Sequence, residues 1–392
     1  MRREELQTVE LAAAVLAGKQ LNKDEYSETD WEYLYKFSCF HGVSGLVAYA
    51  LNDFKNIPQN VIHAFENDQN WIIYRDARQT AVITKLLNEF ENNHFSAMPL
   101  KGYWIKPLYP MPELRSMGDI DILIKREEYP EIDKVLRNIG CKYIQESAHE
   151  YIYTHPAGIK IELHKSLVPS YNTELYNYYG DGWRFAVREK DYEYIYKMTD
   201  RDFYVYIVAH AAKHYLNAGF GIRQVADLFV MKNKIKFSEA DLKYINVQLE
   251  KLGLTFFYKK LFVLAEKWFD MKEPSEDVSE MEEYILKSGV YGTEEHKRIS
   301  EIYRASAECS YTKAKLKNVI RLFFPKLKNM KSKYPRLESH RLLYPWYAAK
   351  RLLSIVFIKK EKLSAVSDRL VSDSEVEKYA SHWESLGIKK TL

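Results

Sequence analysis

Cysteine, glycine and proline are scarce in this chain, and long apolar runs are missing. The 3 cysteines among 392 residues, Cys39, Cys141 and Cys309, share no metal-ligand spacing. An odd, sparse set argues against a disulfide scaffold and suits a reducing compartment. With only 15 glycines and 12 prolines, tight turns are few, which favours a largely helical chain. No window approaches the ~18 apolar residues that a membrane span needs. The opening "MRREELQTVELAAAVLAG" carries basic residues and an apolar patch, but Glu10 interrupts it and the run is too short for a signal peptide. A cytoplasmic protein is the expectation.

What is present fits a globular protein: 46% hydrophobic and 29% charged residues, with 31 tyrosines. The length predicts two or three packed units. Net charge is only +4, but residues 311–360 hold 14 Lys or Arg and a single acid, Glu338, downstream of an acidic stretch, "KEPSEDVSEMEEY" (272–284). Such asymmetry concerns surfaces and partners rather than fold. The basic segment has three readings. It is a solvated face, a nucleic-acid contact with Tyr344, Trp346 and Tyr347 as stacking faces, or a peripheral contact with an anionic membrane.

Hydrophobic periodicity divides the chain. Residues 1–94 read as helices: "DWEYLYKFSCFHGVSGLVAYAL" (30–51), with Asp30 as N-cap, and a long pattern over 60–93. Residues 95–170 change texture to strand, helix, strand, helix, hairpin. Here "FSAMPL" and "DIDILI" are strands, "REEYPEIDKVLRNIG" is a helix stopped at Gly140, and "YIYTH", "PAG" and "IKIELH" make the hairpin. Helices return over 171–270, where Ser238 caps "FSEADLKYINVQLEKLG" and Gly253 ends it. Residues 271–392 read as an acidic loop or exposed helix, then basic helices broken at Pro325, Pro335 and Pro345. The fold class is therefore α+β and mostly helical, a small mixed sheet flanked by helical regions.

The chemistry concentrates in the strand-rich part. Asp119 and Asp121, in "ELRSMGDIDILIKREEY", lie two apart at the start of a strand and so share a face. Glu162, in "IKIELH", offers a third strand-borne carboxylate. Three acids converging in an apolar setting are strongly disfavoured without cations. Mg²⁺ (or Mn²⁺) reverses the sign, because hard divalent ions bind through a few carboxylates plus substrate phosphates and can support in-line phosphoryl displacement. "LKG" (100–102) opens a helix whose glycine would let backbone N–H groups approach phosphate. Lys101 adds charge there, and the planar fork of Arg115 suits phosphate.

This order of parts, strand, Lys-Gly, helix, Gly-Asp-x-Asp opening a strand, and a later strand-borne Glu, resembles the nucleotidyltransferase superfamily of the DNA polymerase β type. Within it, "PLKGYWIKPLYPMPELRSMGDIDILIK" is similar to a group of uncharacterised bacterial nucleotidyltransferases with an "LKG…LY…R…GDIDLLV" signature. The likeness extends over roughly residues 30–235, through "IELH" and "HAAKHYLNAGFGIRQVADL". The resemblance implies that Asp119 and Asp121 bind metal, that Glu162 completes the site and assists deprotonation of an acceptor hydroxyl, and that Gly102 sits under the triphosphate. Lys101, Arg115 and Gly118 are the other expected nucleotide contacts. Tyr103 stands where the superfamily usually carries serine, so Lys101 or Arg115 substitutes for its hydroxyl.

Other residues carry weaker signals. His210 and His214 share a helix face at i, i+4 without a third ligand, and read as structural or as a cleft wall. Arg223 and Asp227 share the next helix face, as an exposed ion pair or a substrate contact. His164 shares the face of Glu162, and His41 falls at a helix end. The expected activity is Mg²⁺-dependent transfer of a nucleoside monophosphate from an NTP such as ATP to a hydroxyl acceptor, favoured as a small molecule, with release of pyrophosphate. Two rivals stay open: a non-catalytic protein with a vestigial nucleotide fold, and an Asp-x-Asp glycosyltransferase.

Overall fold

The computed structural model describes residues 1–307, 310 and 371–392, with scattered positions between 311 and 350. At its centre lies a five-stranded mixed sheet in the order β1-β2-β5-β4-β3. Its strands are β1 (Ala97–Pro99), β2 (Ile120–Ile124), β3 (Lys142–Glu146), β4 (Glu150–Thr154) and β5 (Lys160–His164). β2 and β5 run parallel, and every other pairing in the sheet is antiparallel. A two-stranded ribbon, β6 (Ala186–Arg188) and β7 (Tyr196–Met198), is linked to the edge strand β1 by a bridge between Ala97 and Ile195. The parallel pair needs a long crossover, which α6 (Tyr129–Asn138), β3 and β4 supply.

The sheet has two unlike faces. Ile120, Ile122 and Ile124 of β2 and Ile161 and Leu163 of β5 bury their side chains against Val82, Ile83, Leu86, Leu87 and Phe90 of α4 (Gln59–Asn92) and Ile132 and Leu136 of α6. The alternate positions, Asp121, Glu162 and His164, therefore face the other way, as a period of two requires. That second face looks toward the helices α8 (Asp200–Asn217) and α9 (Ile222–Lys234). A larger apolar cluster runs from Val9 near the start of the chain to Leu392 at its end, drawing in α1 (Arg3–Ala17), α8, α9, α10 (Glu239–Lys251), α11 (Thr255–Ala265) and the C-terminal helix Asp373–Ser385.

Most predicted elements are present, with five differences, one of them the β6–β7 ribbon inside the stretch 171–270 expected to be helical. The single helix expected over 30–51 is two, α2 (Trp31–Phe40) and α3 (Ser44–Ala50). Gly42 takes a left-handed φ of 65°, and Val43 N–H turns back to Ser38 O at 2.9 Å, which ends α2 as a Schellman motif. Asp30 does cap α2, accepting from Tyr33 N–H at 3.0 Å, and His41 sits at its C-terminal end. β3 was not expected, because all five of its residues are exposed and no apolar face marks it. The helix after "LKG", α5 (Gly102–Ile105), is a single turn. The acidic stretch is not an exposed element throughout. After a loop it becomes α12 (Ser279–Ser288), which buries Met281, Tyr284, Ile285 and Glu282, the last held by Trp268 Nε1 at 2.8 Å. Much of the basic segment 311–360, including Pro325, and Cys309 lie outside the described residues; among those described, Trp346 is exposed.

Leu86 is fully buried between α4 and the sheet. Leu86→Ala is expected to lower the free energy of unfolding by about 2–5 kcal/mol, read from urea denaturation.

Candidate active site

Parallel pairing of β2 with β5 sets Asp121 directly beside Glu162 in the ladder. Asp119 precedes the strand by one residue. Asp121 and Glu162 are buried, and Asp119 is about a third exposed, its side chain at 34%. Burial pushes the Asp119 carboxyl up to about 6, and repulsion from Asp121 and Glu162 adds to the effect. Asp121 goes the other way. Burial opposes its charge, but Lys101 and His164 outweigh it and hold the carboxyl far below the usual range.

Two lysines and one histidine meet these acids. Lys101 Nζ donates to Asp121 Oδ1 at 2.7 Å, and its ammonium is held above its ordinary range by that carboxylate despite burial. The Lys101 backbone adopts φ 49°, ψ −114°, a region that a side-chain-bearing residue enters only under strain. Such strain, of roughly 1–3 kcal/mol, gathers at functional positions. Lys160 bonds Glu162 and lies 3.8 Å from Asp119. His164 Nε2 is 2.7 Å from the same Asp121 oxygen; because a carboxylate only accepts, that nitrogen carries the hydrogen.

Lys101, the three acids and His164 share a cavity of about 370 Å³ with Gly102, Arg115, Gly118, His210, His214 and Arg223. Within it the predicted residues differ in how free they are. Arg115 is committed: its Nε and Nη2 grip Asp227 at 3.1 and 2.7 Å, and Tyr109 donates to Asp227 Oδ1 at 2.8 Å. The expected Arg223–Asp227 surface pair is thus replaced. Asp227 is buried and pairs with Arg115, because the turn of α9 points it into the core, while Arg223 donates to Ser116 O at 3.1 Å. A side chain at Gly102 would meet Arg115 at 2.5 Å and Met117 at 2.9 Å, so the close approach that demands glycine here is to protein atoms. His210 and His214 stack edge to face, 4.4 Å between centroids, with no acid or cysteine joining them in a metal-ligand group among the described residues. Burial lowers both, His210 well below the usual histidine range and His214 to about 3.

The donor set suits a hard divalent cation. Crowded carboxylates in a half-buried cleft are stabilised by one, and Asp119, Asp121 and Glu162 offer oxygen donors that lysines otherwise neutralise. Asp121, Glu162 and His164 also have donor atoms within 4.8 Å of one another. Sequence reasoning missed four residues that line or meet this site: Lys160, Lys213, His149 and Glu150. Lys160 could have been found from the period of two, which puts it on the face of Glu162. Lys213, half-buried on α8 one turn from His210, has its ammonium lowered to about 8 by desolvation and the nearby Lys101. Glu150 required the strand register that only hairpin pairing sets.

Three acids on one sheet region thus sit beside a lysine-glycine turn. The family described as "uncharacterised nucleotidyltransferase" matches residues 27–270, and the chain belongs to that family. Among solved structures, the solution structure of the antibiotic-resistance factor ANT(2'')-Ia is similar at 9% sequence identity, over 45% of this chain and 92% of that one, with a TM-score of 0.33. No curated protein matches the chain.

Removing the Asp227 carboxylate leaves the Arg115 charge buried and uncompensated, so Asp227→Ala is expected to cost roughly 3–5 kcal/mol of stability by denaturant titration. A second expectation concerns pH. The carboxyl of Asp119 is raised from 3.8 to about 6, so its proton favours the folded state, and that contribution fades as pH rises through about 6. A divalent cation held at Asp119 would have to displace that proton in acid but not in base. Added Mg²⁺ should therefore raise the melting temperature more at about pH 8 than at about pH 5, by differential scanning fluorimetry, with the difference abolished in Asp119→Asn.

Proposed function

We propose that this family member is an active Mg²⁺-dependent nucleotidyltransferase that moves a nucleoside monophosphate from an NTP to a hydroxyl acceptor. The observation that carries this reading is the register that sets Asp121 beside Glu162 on parallel strands, with Asp119 at the strand entry. Asp119, Asp121 and Glu162 would hold Mg²⁺, with Mn²⁺ as the alternative ion. When bound, the cation would supply charge neutralisation for the phosphates and activation of the acceptor. Lys101 and Lys160 bring ammonium groups to the same carboxylates and would turn them toward phosphate oxygens. The Glu162 carboxylate is assigned the acceptor proton. The acceptor oxygen bonds to the α-phosphorus, the bond to the β-phosphate oxygen breaks, and pyrophosphate leaves.

Arg115 is assigned a positioning role, since Asp227 holds it and it supports the Gly102 turn. Gly118 directs its carbonyl to Arg75 at 2.8 Å, which shapes the entry to the aspartates. His164, His210, His214 and Arg223 line the cavity walls, and its size favours a small hydroxylated acceptor. The division of the chain at 94, 170 and 270 and a cytoplasmic setting belong to this proposal. Among the described residues no helix is long and apolar enough to cross a membrane. No observation on the described residues favours a membrane or nucleic-acid contact of the segment 311–360.

Pyrophosphate release with each NTP and Mg²⁺, against a small-molecule acceptor panel, tests the reading. Asp119→Asn and Asp121→Asn are each expected to lower the rate by roughly a thousandfold, about 4 kcal/mol of transition-state stabilisation. Unchanged metal-dependent NTP binding and transfer in both variants would overturn the assignment, and absence of metal-dependent NTP binding in the wild type would favour a vestigial site.

A further inference from the structure

The end of the β4–β5 hairpin carries a second group of donors, which shares only His164 with the acid cluster. Antiparallel pairing sets Glu150 directly opposite His164, and His149 precedes Glu150 at the entry to β4. The His149 carbonyl accepts Lys165 N–H at 2.7 Å, which ties this entry to the end of β5. His149 Nε2 lies 3.5 Å from Glu150 Oε2, and His164 Nδ1 lies 4.0 Å from the same oxygen. The three donor atoms fall within 4.8 Å of one another.

His164 supplies the independent observation. Its side chain is only 3% exposed, and Nδ1 is buried with no hydrogen-bond partner. Its other nitrogen, Nε2, carries the hydrogen donated to Asp121. Nδ1 is therefore the ring atom left without a partner, and it lies 4.0 Å from a carboxylate oxygen of Glu150. A buried ring nitrogen without a partner beside a carboxylate oxygen is a place that a bound cation would satisfy.

We propose that His149, Glu150 and His164 form a second cation site, built for a borderline transition metal such as Zn²⁺, beside the carboxylate cluster and distinct from it. Two imidazoles and one carboxylate are a donor set that suits Zn²⁺ rather than Mg²⁺. Bond lengths near 2.0–2.2 Å put tetrahedral ligand atoms about 3.4 Å apart, and the two ligand pairs that share Glu150 Oε2 stand at 3.5 and 4.0 Å. The hydrogen bond from His164 to Asp121 is the arrangement that orients metal-binding histidines: one nitrogen on the metal, the other on a carboxylate. All three ligands line the same cavity as Asp121 and Glu162, so a fourth coordination position opens onto it. Three protein ligands with one open position is the pattern of zinc sites that engage water or a substrate oxygen. The bound ion would also lock the His164 ring and keep its Nε2–H on Asp121. This site rests on its own residues, whether or not the transferase reading holds.

The test is direct metal binding to the full chain after chelator treatment, with excess Mg²⁺ present to occupy the carboxylates. Zn²⁺ alone is titrated by calorimetry, and Co²⁺ is read by its visible absorption bands. The expected result is one Zn²⁺ per chain, weakened roughly tenfold or more by His149→Ala and by Glu150→Gln, with changed Co²⁺ bands in both. Asp119→Asn should retain the Zn²⁺. His149 and Glu150 are partly exposed, and circular dichroism of both variants would confirm that they fold. Zn²⁺ binding that is unchanged in both hairpin variants, that is absent with excess Mg²⁺, or that is lost in Asp119→Asn instead would overturn the proposal.

Discussion

The organising constraint is the mutual repulsion of acids on one sheet face. Parallel pairing of β2 and β5 forces Asp121 and Glu162 side by side, with Asp119 at the strand entry and Glu150 one strand further on. Nothing in the backbone relieves this crowding, so the surroundings must. Lys101 reaches Asp121 from a strained turn, Lys160 reaches Glu162 from two residues away, and His164 donates from below. The Asp119 carboxyl, less well matched, is raised by burial and by its neighbours. Negative charge concentrated this way is stabilised by positive charge brought close to it.

The helical frame holds that arrangement open. Asp227 on α9 grips Arg115, and Tyr109 closes the same carboxylate, so the loop between α5 and β2 is tied to a helix far along the chain. His41 makes a similar tie. Its Nδ1 accepts Ile222 N–H at 3.2 Å, and its Nε2 donates to Leu286 O at 3.1 Å, joining the end of α2 to α9 and α12. Burial lowers its imidazole to about 4, so it serves as a neutral connector. These buried polar links make the cavity a product of helices from both ends of the chain, packed in one apolar cluster.

Much of the fold was legible because it rests on local pattern. Alternation in "DIDILI" and "IKIELH" marks the two central strands, and the helical period marks α4, α8, α9 and α10. The failures have local causes too. β3 shows no apolar face, because it is an edge strand exposed at every position. The 30–51 pattern keeps its period across Gly42, so a left-handed break leaves no hydrophobic trace. α12 looked solvated because its acids dominate the composition, although Glu282 is buried on an indole and a lysine.

For the site, the sequence alone determined which side chains share a face, since a period of two is a property of the strand itself: Asp119 with Asp121, and Lys160 with Glu162 and His164. It also determined that three acids near an apolar strand call for positive charge. The tertiary structure decided what supplies that charge and what each cation is free to do. Arg115, an apparent phosphate ligand, is consumed by Asp227, and Glu150 and His149 arrive beside His164 only through the hairpin register. Those outcomes depend on distances between residues remote in the chain, which local periodicity does not encode.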